Sequence, residues 1–419
     1  MRKTIITSII LILLLTLILG VVTILFYQRS SPVSLTDKIS DFFPLPANIL
    51  PNNSPSPTSS TTPNQKSVLI NGKEYNIPAD PRLQVVTSAP AIALGSSFQS
   101  EQTSLYYLEK SSGNFIKYNP VSKQSSLLST LESPTTEGII FSTLDNMVYI
   151  FNITKTGDGR LNLDVLSFYL NTSTETNKKG QKILRVSENL IDLAISPDQS
   201  QFFILEKQQD GGVMGTIRSV KNPELILNTP YKSSQNNQFK VFWPISNNIY
   251  IQTNKSLLSS GDLYIININT ATSSLFLQNI GNSPISFSPE GDNIIFNQIL
   301  VNKLILKSKN LLTGEISTIP FSTFPNKCVW QENLKVIVCG VPKQPLTNIE
   351  YEDWSVKKMN TLDDIWEFSL NTKEHYRLLE PKSSLDVSSP ILDQKTLVLY
   401  FINRISGNLE SLDLNTARY

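Results

Sequence analysis

The sequence predicts an all-β fold, and three observations support that prediction. Of 419 residues 40% are apolar and only 17% charged, with Ser, Thr and Asn filling much of the rest, a balance suited to exposed β-turns rather than helix surfaces. From residue 84 onward one syntax recurs: a short strand, a turn built on Pro, Asp, Asn or Gly, then a continuous apolar run. Because these runs do not alternate, they read as central strands covered on both faces. A second element, a strand ending in an Asn-Thr or Thr-Gly turn, follows in register with them.

The N-terminus departs from this pattern. Thr4 to Tyr27 is an almost unbroken uncharged apolar run, as a helix roughly 36 Å long against about 30 Å of hydrocarbon. It ends in Phe26-Tyr27-Gln28-Arg29 without a small-x-small site or a nearby cysteine, which favours an uncleaved signal anchor over a cleaved or lipid-modified signal. Arg2, Lys3 and the α-amine precede the run and only Arg29 closely follows it. That asymmetry places residues 1–30 as a cytoplasmic N-terminus plus a single-pass anchor in the cell membrane, with the rest extracytoplasmic. Residues 31–66 carry seven prolines among Ser, Thr and Asn, the composition of a flexible tether spanning about 35 Å as coil and about 110 Å in polyproline form. Residues 67–82 form an accessory hairpin, since Val68-Leu69-Ile70-Asn71-Gly72-Lys73-Glu74-Tyr75 is a type I′ signal.

Residues 83–419 hold the repeats. The sharpest copies are Ile195-Ser196-Pro197-Asp198 leading to Phe202-Phe203-Ile204-Leu205, and Phe287-Ser288-Pro289-Glu290-Gly291 leading to Ile294-Ile295-Phe296. Weaker copies begin at Leu144-Asp145, Trp243-Pro244, Glu332-Asn333 and Asp393-Gln394. The second element recurs at Leu170, Ile268, Leu312, Leu370 and Leu414, so the period lies near the roughly 40 to 50 residues of a propeller blade. The predicted architecture is a β-propeller of seven blades rather than six or eight. Its Ser-Pro-Asp/Glu hairpins resemble TolB-type, WD-repeat-like propeller repeats, also found beside the catalytic domains of some prolyl peptidases. The resemblance implies a fold; without a Gly-His and Trp-Asp pair or a following α/β-hydrolase, it implies no peptidase activity.

The final unit ends soon after its Asn415-Thr416 turn and lacks an outer strand, which Leu83-Gln84-Val85-Val86-Thr87 is placed to supply. Cys328 and Cys339 flank one hairpin turn symmetrically about a point between Asn333 and Leu334. They should face each other across two strands and form a disulfide, which an oxidising compartment would preserve.

Function is less legible. Removing Arg2, Lys3 and Arg29 leaves 33 basic against 35 acidic residues, which argues against a nucleic-acid partner. The single histidine, His375, disfavours two-histidine metal sites and most Ser-His or Cys-His chemistry, and no metal or other cofactor is expected. Asp158, Asn162 and Asp164 lack the spacing of an EF-hand loop. In a four-stranded blade the connections between strands two and three share one face, and here they are the variable ones, around 152–162, 206–216, 252–261 and, longest, 340–363. The last combines aromatic anchors with carboxylates, so Tyr351, Asp353, Trp354, Asp363, Asp364 and Trp366 are the candidate binding residues. The first expectation is a noncatalytic interaction or scaffold module of the cell envelope, engaging a protein or glycan partner. The alternatives are a solute-sensing domain and a carboxylate-based glycan hydrolase or lyase.

Overall fold

The computed structural model describes residues 66–70, 73–77 and 82–417, apart from the short segments 98–103, 132–137, 171–181, 235–237, 255–259, 302 and 333. The anchor at 4–27, almost all of the 31–66 tether and the Asn71-Gly72 turn lie outside these residues. Among the described residues no helix is long and apolar enough to cross a membrane.

Strands β1 (Lys66–Ile70) and β2 (Lys73–Ile77) pair as an antiparallel hairpin. β3 (Leu83–Val85) is followed by a first four-stranded meander, β4 (Ala91–Ser97), β5 (Ser104–Glu109), β6 (Asn114–Asn119) and β7 (Gln124–Thr130). The second meander is β8 (Gly138–Leu144), β9 (Met147–Lys155), β10 (Leu161–Tyr169) and β11 (Lys182–Ile195). β11 runs for 14 residues. It pairs with β10 through its first half and opens a third meander through its second, with β12 (Gln201–Lys207), β13 (Val213–Ser219) and β14 (Ile226–Ser233). The fourth is β15 (Gln238–Ile245), β16 (Asn248–Asn254), β17 (Gly261–Asn267) and β18 (Thr272–Ile280); the fifth is β19 (Ser286–Phe287), β20 (Asn293–Leu300), β21 (Lys303–Asn310) and β22 (Ile316–Thr318). In the sixth, β23 (Cys328–Gln331) and β24 (Val336–Pro342) are joined through helix α1 (Asn348–Ser355) to β25 (Asp363–Ser369) and β26 (His375–Leu379). The last sheet contains β27 (Val387–Asp393), β28 (Val398–Asn403), β29 (Leu409–Asp413) and β3. Val85 sits opposite Glu410 and Leu83 opposite Leu412, and the Leu409 N–H donates to Thr87 Oγ1 at 3.0 Å. The chain is therefore all-β and propeller-like.

Burial follows strand position. Second strands such as β5, β12, β20 and β28 carry unbroken runs of four or five buried residues, whereas the outer strands β7, β14, β18 and β26 begin with three or four exposed residues. A strand segment buried on both faces favours apolar residues at consecutive positions, which is why the runs do not alternate. The faces meet in separate cores. Phe115, Ile150 and Phe168 join the first two meanders, Phe151 and Phe202 the next pair, and Phe203, Trp243 and Ile251 the third and fourth. Tyr250 and Ile294 continue the series, then Ile295 and Trp330, then Val338 and Phe401. Tyr107 and Tyr118 of the first meander finally pack with Tyr400 and Ile402 of the last sheet.

The turn chemistry explains the repeat signal. Ser196 Oγ donates to Asp198 Oδ1 at 2.6 Å and accepts the Gln201 N–H at 3.0 Å. Ser288 Oγ does the same with Asp292 Oδ1 and the Asn293 N–H, each at 3.0 Å. In the second hairpin position Asn119, Asn267 and Asn310 each accept two backbone N–H groups from the turn that follows, the Asx arrangement that favours asparagine there.

Cys328 and Cys339 are directly paired in the β23–β24 register and form a disulfide, with Cα atoms 4.1 Å apart. The bond constrains a short loop in the unfolded chain, a stabilisation of about 3 kcal/mol on the chain-entropy account. Replacing both cysteines with alanine is expected to lower the unfolding free energy by about that amount, measured by urea denaturation under oxidising conditions.

Candidate functional site

Where strand one begins, strand two ends and strand three begins, the chain is at the same end of every meander, because neighbours are antiparallel. On that face, at the sixth and seventh sheets, lie Lys327 before β23, Asp363 opening β25, Asp386 before β27 and Arg404 after β28. Lys327 is fully buried. Its Nζ lies 2.7 Å from Asp363 Oδ2 and 2.8 Å from Asp386 Oδ1, and it also contacts Thr361 Oγ1. Asp386 accepts Trp354 Nε1–H at 2.9 and 3.1 Å and the Thr361 hydroxyl at 2.9 Å. Arg404 stacks 4.2 Å over the Trp354 ring and donates to the Trp354 carbonyl at 2.6 Å. Burial lowers its pKa, opposed by Asp386 and Asp363.

Helix α1 closes over this cluster. Thr347 and Glu350 form a reciprocal capping box at its start, satisfying two N–H groups that would otherwise lack partners. Tyr351 and Trp354, read from sequence as surface anchors, are 9% and 5% exposed. They pack on Phe324, Leu304 and Leu346, with the Phe324 and Tyr351 rings 4.7 Å apart. Burial raises the Tyr351 phenol above its usual range. Gly340 permits the tight approach beneath, since a Cβ there would lie 2.6 Å from Val387 Cβ and 2.9 Å from Asp363 Oδ2.

The other candidates scatter. Asp353 is partly exposed beside Lys358, and Asp364 lies between Lys343 and Arg377, each 3.4 Å away. Trp366 is half-buried against Phe321, with the Arg377 guanidinium 5.9 Å above its ring. His375 begins the outer strand β26 and is exposed. Asp158 is engaged by Thr156 and Arg160, which hold its carboxyl at about 2, and Asp164 is paired with Arg185. Among the described residues no group of three or more His, Cys, Asp or Glu is arranged to hold a metal ion. Sequence reasoning missed Lys327, Asp386 and Arg404, because a charged residue at a strand end looks the same whether buried or solvated.

The same face holds an open cleft of about 800 Å³ at the third meander. It is lined by Asn189 of β11, Glu206 to Asp210 at the end of β12, Gly212 to Met214 entering β13, and Lys232 to Ser234 ending β14. The 206–216 connection was among the variable segments in the sequence. Its polarity hid it, since the aromatic content of 340–363 drew attention there. The aromatic loop forms a plug, while the polar one borders a space a ligand can enter.

No protein-family model matches the chain, and no curated protein does. Among solved structures, an oligogalacturonate lyase from Vibrio parahaemolyticus aligns at TM-score 0.51 and 10% identity over 84% of this chain and 96% of that one. An uncharacterised protein from Listeria monocytogenes aligns at 0.51 and 12% identity, over 79% and 94%. A Mycobacterium tuberculosis puromycin-hydrolysing peptidase aligns at 0.48 and 9% identity over 80% of this chain, which spans 54% of that one. The two likenesses at 0.51 show a propeller-like fold. They also correct the expectation of a noncatalytic module: the fold is one on which enzymes are built, the lyase among them, so a ring of repeats with one histidine does not argue against catalysis.

Two outcomes test the buried cluster. Lys327→Ala removes the one ammonium shared by Asp363 and Asp386, leaving Arg404 beside Asp386 alone, and the unfolding free energy should fall by about 3–5 kcal/mol in urea titrations. Burial raises the Asp363 pKa, against the pull of Lys327. Above the ordinary aspartate pKa and up to the raised value, the folded state keeps a proton that the unfolded chain has released, so this group costs stability as pH climbs through that window. Wild type minus Asp363→Asn, compared as unfolding free energy from about pH 4 upward, should slope downward there.

Proposed function

We propose that residues 83–419 form a seven-bladed β-propeller of TolB-type repeats that binds a ligand of the cell envelope on the face bearing the second-to-third-strand connections. The blade count is supported by six successive meanders, by the closing sheet that β3 completes, and by the core that joins first and last sheets. The TolB-type reading is supported by the shared Ser-Pro turn chemistry at Ser196 and Ser288. The domain is held outside the cytoplasm by the 4–27 anchor and the 31–66 tether, on the grounds of hydropathy and flanking charge.

The observation that carries the binding reading is the cleft of about 800 Å³ at the β12–β13 connection, within the roughly 300–1,000 Å³ typical of small-ligand sites. Binding comes first whether or not chemistry follows. The test uses full-length protein in detergent and saccharide and peptide fragments of the envelope, with affinity read by calorimetry. Gln209→Trp, which fills the cleft from an exposed position, should weaken binding at least about tenfold without shifting the unfolding midpoint. Unchanged affinity would refute the cleft as the site. An alkaline phosphatase fused after residue 419 should be active in intact cells, and inactivity would refute the orientation.

A further inference from the structure

The charges around the cleft are not equivalent. Glu206 accepts from Arg218 Nη2 at 3.2 Å, and the two side chains are only 15% and 12% exposed. Asp210 Oδ1 accepts the Gly212 N–H at 2.9 Å. Glu206 is therefore paired with a cation of the protein, while Asp210 is exposed and accepts through one oxygen from its own turn. Lys207 and Lys232, on the two strands that flank β13, are exposed and line the same cleft. Neither forms an ion pair among the described residues. Asn189, Gln208 and Gln209 add carboxamides that both donate and accept hydrogen bonds.

The apolar share of the described lining is small: Val213 is buried, Met214 half-buried, and among the described residues no aromatic ring contributes. A lipid chain or an apolar peptide anchor would find no pocket here. Among the described residues no arginine lines the cleft, and a site built for phosphate favours a guanidinium fork or a nest of N–H groups. A ligand that combines negative charge with many hydroxyls matches what is present: ammonium groups for the charge, carboxamides for the hydroxyls. We infer that the cleft binds an acidic saccharide, its carboxylates against Lys207 and Lys232, an assignment that rests on the binding reading above. The contacts are solvent-exposed, so each lysine contributes up to about fivefold in affinity, and binding weakens with salt.

The experiment titrates full-length protein with a hexuronate oligosaccharide, its neutral methyl ester and an inorganic polyphosphate. Expected is binding of the acid form, at least about tenfold weaker binding of the ester, and a loss of up to about fivefold in each of Lys207→Gln and Lys232→Gln. Lys358→Gln, an exposed lysine at the distant α1 helix, should change nothing. Ester and acid binding alike, or polyphosphate binding more tightly than either, would overturn the acidic-saccharide assignment. Equal losses in all three lysine variants would overturn it too, as nonspecific attraction. If no saccharide binds while Gln209→Trp still weakens binding of other envelope fragments, the ligand class is wrong and the cleft stands. If Gln209→Trp is also without effect, both fall.

Discussion

The structure depends on sheets that cannot bury both faces alone. Second strands carry an unbroken apolar run, Phe202-Phe203-Ile204-Leu205 being the clearest, whose two faces need a neighbouring sheet on either side. Such a strand in an isolated four-stranded sheet would expose several large side chains, each costing about 1.5–3 kcal/mol relative to burial. Successive sheets meet that demand in turn, and Tyr400 and Ile402 meet it for the first sheet from the last. The short pairing of β3 with β29 then covers a hydrogen-bonding edge that would otherwise be open.

This demand is why the fold class was legible in the sequence. Non-alternating apolar runs and the Ser-Pro and Asn turns are local signals, and the local hydrogen bonds at Ser196, Ser288 and Asn310 are what enforce them. The cysteine pairing was legible for the same reason, since symmetry about a turn fixes register. What the sequence could not show was long-range polar pairing. Lys327 and Asp386 are 59 residues apart, and nothing local distinguishes them from solvated charges. The aromatic residues of 340–363 misled in the opposite direction, because large rings serve packing as readily as recognition.

The buried cluster therefore has a structural task with chemical ingredients. An ammonium, two carboxylates and a guanidinium tie α1 to the sixth and seventh sheets, and Trp354 joins them through its Nε1–H, its carbonyl and its ring face. Removing these charges from water is costly, and the hydrogen bonds among them offset that cost only while every partner stays in place. Such a knot fixes one geometry of the connection. The shorter, polar 208–212 connection on this face borders the open cleft instead.

The long strand β11 has a consequence for that opening. Because one unbroken strand belongs to two sheets, those sheets cannot swing against each other without breaking its backbone hydrogen bonds, and Asn189 sits where it passes from one to the other. The wall of the cleft is thus welded rather than hinged. A guest arriving there meets a shape already set, and little of its binding energy is diverted into rearranging the host.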